Sequence, residues 1–366
     1  MSKTNYQIIP AKAQNKNAIV FAPDNAFIKY FAVTLQSLIN NSNEKSAYDI
    51  VIFNGDITKE NLDRLTVMLP ENFNLRLLDI DIQIKEQFKS LILKNQDYWS
   101  IAMYYRIFIP FFMQNYKKVL YLDSDMVINS NIDELFNVDF EDKQILACRD
   151  TFAIQDAIYQ NVKRLEFVKN ILKIDDVQYY FNSGMLLFNI AAINLDDYYT
   201  KLTGIFNEKL MYPDQDILNF VFYKKAKLIS FKYNCSIGYK HYDNKLEEKI
   251  LDKYKDDFFN SIREPIIIHY TGKTKPWNTS NQSAQGVFAD VFWKYARKTS
   301  FYEEILLAAV AAICKSQNKT VTNAASSRKK ITLPQMLFSV KNEKYKGNKH
   351  KVLTFMGIKI KLKTKV

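Results

Sequence analysis

The sequence predicts an α/β fold: a mostly parallel sheet flanked by helices, followed by C-terminal helices and a basic extension. Three observations carry that prediction. Short β-branched runs alternate with stretches whose apolar residues recur every three or four positions, the pattern of successive strand–helix units. The 366 residues are 48% hydrophobic and include 23 Tyr and 26 Phe, enough to bury a large core. The charge is also confined. Twelve Lys and Arg against the single acid Glu343 fall in residues 328–366, so that segment carries +11 of the formal +12 and the rest of the chain only +1. The body is electrostatically ordinary, and no nucleic-acid partner is expected.

A polar lead (1–17) precedes one α/β domain (18–284), C-terminal helices (285–316), and a polar linker with a basic amphipathic tail (317–366). "AIVFA" (18–22) reads as the first strand, and Ile28, Phe31, Ala32, Leu35, Leu38 and Ile39 mark a helix after it. "YDIVIF" (48–53) and a helix over 58–69, with Thr58 as N-cap, repeat the unit, and "NLRLLDI" (74–80) opens a third. A helix over 101–113 then feeds the apolar run "VLYLDSDMVI" (119–128). Further segments follow at "ILACRD" (145–150), "YYFNSGMLLFNI" (179–190), "PDQDILNFVF" (213–222) and "PIIIHYTGKTKPW" (265–277). The last ten residues alternate apolar and basic like a one-faced strand.

Two carboxylates inside an apolar strand need an answering cation, since unpaired burial would cost several kcal/mol each and the two would repel. Residues i and i+2 of an extended segment project to one side, so Asp123 and Asp125 can converge on a divalent metal beyond the carboxyl end of a parallel strand. Hard oxygen ligands suit Mg²⁺ or Mn²⁺, and the imidazole of His269, at the end of "PIIIH", favours Mn²⁺. After it, Gly272 allows close backbone approach to a phosphate and Lys275 can neutralise one. The eight glycines are too scattered for G-x-G-x-x-G or a P-loop, so a nucleotide here would be held by metal and basic side chains. In "YPDQD", Pro213 and the acids of the first turn also describe a well-capped helix, the role assigned to Asp216.

Taken in order, "VLYLDSDMVI", "YYFNSGMLLFNI", "YPDQDILN" and "IIHYTGKTKPW" resemble the family 8 glycosyltransferases, over roughly residues 18–300. That resemblance implies a GT-A fold with a Rossmann-like mixed sheet. It also implies a UDP-glucose or UDP-galactose donor, Mn²⁺, and transfer with retention of anomeric configuration. Position by position it makes Asp123, Asp125 and His269 metal ligands and gives the diphosphate Arg106, Gly272 and Lys275. Ala22, Asp24, Asn25 and Ser124 fall at donor-binding positions, although the family's usual D-D-N-Y is Asp24-Asn25-Ala26-Phe27 here. Asp150, Asn182 and Asp214 hold the donor sugar, with Gln215 beneath its anomeric carbon. An amide there is a poor nucleophile and no general base, which favours attack on the leaving group's own face.

The expected acceptor is a hydroxyl of a glycan or lipid-linked saccharide, in lipopolysaccharide core or another surface glycan. The alternatives are an Asp-nucleophile phosphatase of the haloacid dehalogenase type and a non-catalytic basic membrane-binding protein. The first places its D-x-D early with Ser or Thr soon after, whereas three strand–helix units come first here and Met126-Val127 follow. No signal-peptide core is readable at the N-terminus, and Cys148, Cys235 and Cys314 form no framework. A cytoplasmic enzyme is expected, held at the inner face of the membrane by its basic tail on anionic lipid.

Overall fold

The computed structural model describes residues 17–80, 101–236, 252–272, 275–278, 288–324, 338–345, 348–355 and 358–362. The polar lead up to residue 16, residues 325–330 of the expected linker, Lys273 and His241 lie outside these. The chain forms two compact units, Met1–Val310 and Ala311–Val366.

The first unit is built on a seven-stranded mixed sheet. Its strands are β1 (Asn17–Phe21), β2 (Tyr48–Asn54), β3 (Phe73–Asp79), β4 (Lys118–Leu122), β6 (Ile145–Arg149), β7 (Phe181–Asn189) and β8 (Ala226–Ile229), in the order β3-β2-β1-β4-β7-β6-β8. The first four in that order run parallel, and β7 is antiparallel to both β4 and β6. Helices cover both faces, so the strands are apolar nearly throughout. Along β1, Ala18 and Val20 enter one core, while Ile19 and Phe21 enter the other. The chain goes from β1 to β2 on one side and pairs β1 with β4 on the other. The crevice beyond their carboxyl ends is where a ligand is expected in such a sheet.

The run "VLYLDSDMVI" is not one strand. β4 ends at Leu122, and after Asp123-Ser124-Asp125 the chain enters β5 (Met126–Ile128) of a second sheet, ordered β5-β10-β9, with β10 at Ile267–His269 and β9 at Cys235–Ser236. Two half-buried carboxylates fall in the break, and the strand changes sheets at that point. The segment before β4 also differs from its predicted helix: Ile101–Phe108 is a 3₁₀ helix, followed by one α-turn at Ile109–Phe112 carrying Pro110.

The helix Tyr302–Ala324 begins in the first unit and continues through residues expected to be linker. The tail then forms an antiparallel meander of β11 (Phe338–Tyr345), β12 (Asn348–Phe355) and β13 (Ile358–Leu362), of which the sequence alternation had identified only the last strand. Its register sets Phe338 opposite Phe355 and Val340 opposite Leu353. It also sets Leu353 opposite Ile360 and Phe355 opposite Ile358. No described helix is long and apolar enough to cross a membrane.

Candidate active site

A cavity of about 590 Å³ opens at the carboxyl end of β4 and the amino end of the antiparallel β7. Ten residues singled out in the sequence line it: Arg106, Asp123, Asp125, Asp150, Asn182, Asp214, Gln215, His269, Gly272 and Lys275. Ala22, Asp24, Asn25 and Ser124 do not. Asp24 turns its carboxylate onto the N–H of Phe27 (2.8 Å), and the Asn25 side-chain oxygen accepts from Thr58 N and Asn61 Nδ2. Asp24 is thus engaged in the turn before the first helix, and Asn25 ties that turn to the start of the second. Ser124 is buried, its carbonyl taken by Thr34.

The helix Ile28–Asn41 holds the aspartate crossing in place. Thr34 Oγ1 lies 2.9 Å from the Ser124 carbonyl and 2.7 Å from that of Met126, and Ser37 Oγ accepts from Ile128 N. Asp123 donates its own N–H to Gly184 O (2.8 Å), and Tyr270 N donates to Asp125 O (3.1 Å). Convergence follows. His269 Nε2 is 3.5 Å from Asp123 Oδ2 and 3.2 Å from Asp125 Oδ1, and one ligand atom from each residue lies within 4.8 Å of the others. Two carboxylates and one imidazole at these separations fit a divalent ion.

Space for this meeting comes from Gly184, a residue that sequence reasoning passed over. A Cβ at Gly184 would lie 2.4 Å from His269 Cε1 and 2.7 Å from Asp123 Oδ2. The β6–β7 register breaks here, Ala147 pairing with Leu186 but Cys148 with Asn182. This bulge turns Asn182 and Ser183 toward the cavity.

Cations balance the acids. Arg106, 7% exposed, pairs through Nη2 with Asp123 (2.8 Å) and through Nε with Asp214 (3.3 Å), and its Nη1 donates to Ser183 O (3.0 Å). Lys275 is hydrogen-bonded to Asp125. Burial alone would raise the Asp125 carboxyl, but Lys275 and His269 outweigh it and hold the group well below the ordinary carboxylate range. Asp214 goes the other way: desolvation raises it, Arg106 opposes, and Asp123 adds to the rise. The Lys275 loop is anchored by Trp277, which stacks on Tyr30 (4.1 Å, 15°) and packs against Phe292 (4.8 Å). Gly272 takes φ +65° at its start, the left-handed conformation that glycine tolerates best.

Gln215 sits on the first turn of the helix Pro213–Phe222. Its Oε1 accepts from Ser183 N (3.0 Å), and its Nε2 donates to Asp150 Oδ2 (3.2 Å) and Tyr180 OH (3.3 Å). Asp216 is fully buried: Oδ1 accepts from Tyr180 OH (2.6 Å) and pairs with Arg164 (3.1 Å), while Oδ2 accepts from the N–H groups of Met211 and Tyr212. The remaining Arg164 nitrogens, Nε and Nη1, have no oxygen partner. The guanidinium instead packs on the rings of Tyr180 (4.8 Å), Tyr212 (4.9 Å) and Phe167 (5.2 Å). The structural role read for Asp216 agrees with these contacts. Its partners Arg164 and Tyr180 were not foreseen, since neither stands in a readable motif.

The mixed sheet has the fold of GT-A glycosyltransferases. The chain belongs to glycosyl transferase family 8, whose model matches residues 18–281. It is 28% identical over 269 residues to the lipopolysaccharide 1,2-glucosyltransferase of Escherichia coli, covering 71% of this chain and 73% of that one. Over 295 residues it is likewise 28% identical to the lipopolysaccharide glucosyltransferase WaaO of the same species, covering 78% and 76%. The galactosyltransferase LgtC, solved in complex with donor and acceptor sugar analogs, shares the fold at TM-score 0.62 and 23% identity, over 77% of this chain and 96% of that one. The bifunctional glycosyltransferase WbbM superposes at TM-score 0.70 and 23% identity over 82% of this chain, which spans only 53% of that protein.

Proposed function

We propose that the protein is a retaining hexosyltransferase that moves glucose or galactose from a UDP-sugar to a hydroxyl of a glycan or lipid-linked saccharide, in lipopolysaccharide core or another surface glycan. The observation that carries this reading is the placement of Asp123, Asp125 and His269 on one wall of the same cavity as Asp150, Asn182, Asp214 and Gln215. The three ligands would hold Mn²⁺, with Mg²⁺ as the substitute, and the ion when bound would offset charge on the diphosphate as it leaves.

The chain's own groups account for the rest. Lys275 and the backbone at Gly272 lie where a diphosphate would meet the metal side, and Asp150, Asn182 and Asp214 would fix the sugar hydroxyls. Gln215, with neither nucleophilic nor basic capacity, leaves the acceptor hydroxyl to approach on the leaving group's face and pass its proton to a phosphate oxygen. Asp216 has both oxygens engaged and is no nucleophile in this reading. The tail, with its +11 formal charge over residues 328–366, would hold the enzyme on anionic lipid beside its acceptor.

Melting curves with Mn²⁺ and UDP, alone and together, test the class: a joint shift larger than either alone is expected. Donor hydrolysis across a panel of UDP-sugars identifies the sugar. Inversion at the anomeric carbon of the product would overturn the retaining assignment. Sedimentation with anionic liposomes, compared between the full chain and one ending near Gln317, tests the tail; equal pelleting would remove it as the anchor.

A further inference from the structure

A buried relay of three side chains runs from the sugar side of the cavity to His269. His269 Nδ1 lies 2.9 Å from Asn234 Oδ1, Asn234 Nδ2 donates to Asn182 Oδ1 (2.9 Å), and Asn182 Nδ2 donates to Asp150 Oδ2 (3.0 Å). Asn234, His269 and Asp150 are each at most 4% exposed, and Asn182 between them is half-buried at the cavity wall. An amide can be turned either way, and only its partners decide. At Asn182 both ends are decided, because the N–H of Gly184 (3.0 Å to Oδ1) can only donate and the Asp150 carboxylate, when ionised, only accepts. The Asn182 oxygen therefore faces Asn234, which must present its Nδ2. That leaves the Asn234 oxygen for His269, whose Nδ1 must carry the proton.

The consequence is at the other ring nitrogen. A neutral imidazole with Nε2 beside two carboxylates would, by local electrostatics, place its proton on Nε2 and donate it to Asp125, 3.2 Å away. The relay works against that preference. We propose that Asn234, oriented by Asn182, is a positioning residue that holds His269 as its Nδ1–H tautomer and keeps the Nε2 lone pair aimed between Asp123 and Asp125. The functional part rests on His269 being a metal ligand, as read above; the tautomer itself does not. Asn182 thereby serves both sides of the cavity, the sugar through its place beside Asp150 and the metal through Asn234.

The test uses ¹⁵N-histidine labelling of the full-length, metal-free protein at a pH where the ring is neutral. With three histidines in the chain, His269→Ala assigns the signal. In the wild type, Nδ1 should be protonated and Nε2 bare. Asn234→Leu should move the proton to Nε2 and weaken Mn²⁺ binding, measured without donor, by about tenfold or more, as for loss of an orienting partner. Asn234→Asp keeps an acceptor for Nδ1–H and should hold both the tautomer and Mn²⁺ affinity within about threefold. A proton on Nε2 in the wild type overturns the proposal, and that measurement needs no variant to fold. Wild-type behaviour in Asn234→Leu, or equal loss in both variants, overturns it as well. If the wild type binds no Mn²⁺, the metal reading of His269 fails, while the tautomer comparison still decides the relay.

Discussion

The chain carries two D-x-D triplets close to one cavity, Asp123-Ser124-Asp125 and Asp214-Gln215-Asp216, and they do opposite things. The first lies in a turn between two sheets rather than on the extended strand its sequence suggests, and its carboxylates converge with His269. The second lies on the first turn of a helix, where residues two apart point about 200° apart around the axis. Asp214 therefore turns to Arg106 and Ser183, and Asp216 to Arg164 and Tyr180. Asp214 and Gln215 both line the cavity, and Asp216 does not. The same three-letter pattern thus builds a cation site in one case and, in the other, an orienting frame around one amide. The backbone decides which.

Mutations can break this contrast in order of severity. Asp125→Asn removes one anionic ligand and should abolish metal-dependent UDP binding, read by calorimetry, while the fold persists. Unchanged Mn²⁺ dependence would remove the first triplet from the metal. Asp216→Leu strips the buried Arg164 of its partner and should destabilise the protein by about 3–5 kcal/mol. Arg164→Met added to it should restore most of that stability, since an apolar pair replaces an ionic one at similar volume. Thermal melts decide this, and a double variant no better than the single would show that Asp216 is not a structural group.

Gln215→Ala sharpens the contrast. Donor affinity should stay within a few-fold while kcat falls by about tenfold or more, as for a contact made chiefly in the transition state. A change confined to KM would make Gln215 a binding residue only. Lys275→Met is expected to have the smallest effect and two signs. Without donor, Mn²⁺ should bind a few-fold tighter, because the ammonium that now engages Asp125 is gone, and UDP should bind more weakly. Weaker Mn²⁺ binding in that variant would mean that Lys275 does not compete for Asp125.

Much of the fold was legible because its first half obeys simple periods. β1 and β2 are largely apolar runs, β3 carries Leu75, Leu77 and Leu78 among polar residues, and the helices after the first two show a 3.6-residue recurrence, with Thr58 capping the second as expected. The metal triad was legible for a related reason: Asp123 and Asp125 stand out inside an apolar run, as His269 does at the end of one. What escaped depends on pairing between distant segments. Nothing local tells that "VLYLDSDMVI" changes sheets, that Ala226–Ile229 is an edge strand beside β6, or that β7 bulges between Asn182 and Met185. Asn234 sits in "KYNCS" without a motif, and its place next to His269 comes from the parallel pairing of β9 with β10. Asp24 and Asn25 stand in a readable motif, and what the sequence did not tell is that Asp24 bonds Phe27 and that Asn25 reaches Thr58 and Asn61 of the next strand–helix unit.

The crossing from one sheet to the other has a mechanical side. Asp123 closes a strand of the large sheet, Asp125 opens one of the small sheet, and His269 ends the small sheet's central strand. A cation shared by the three would act as a rivet through the joint, and its loss would be felt as loosening there rather than as general softening. Amide exchange after chelation should therefore quicken along Met126–Ile128 and Ile267–His269 while Ala18–Phe21, in the middle of the large sheet, stays slow. An even rise across all three segments would place the rivet elsewhere. By this mechanics, an enzyme starved of metal would first lose the alignment of its two halves and only later its fold.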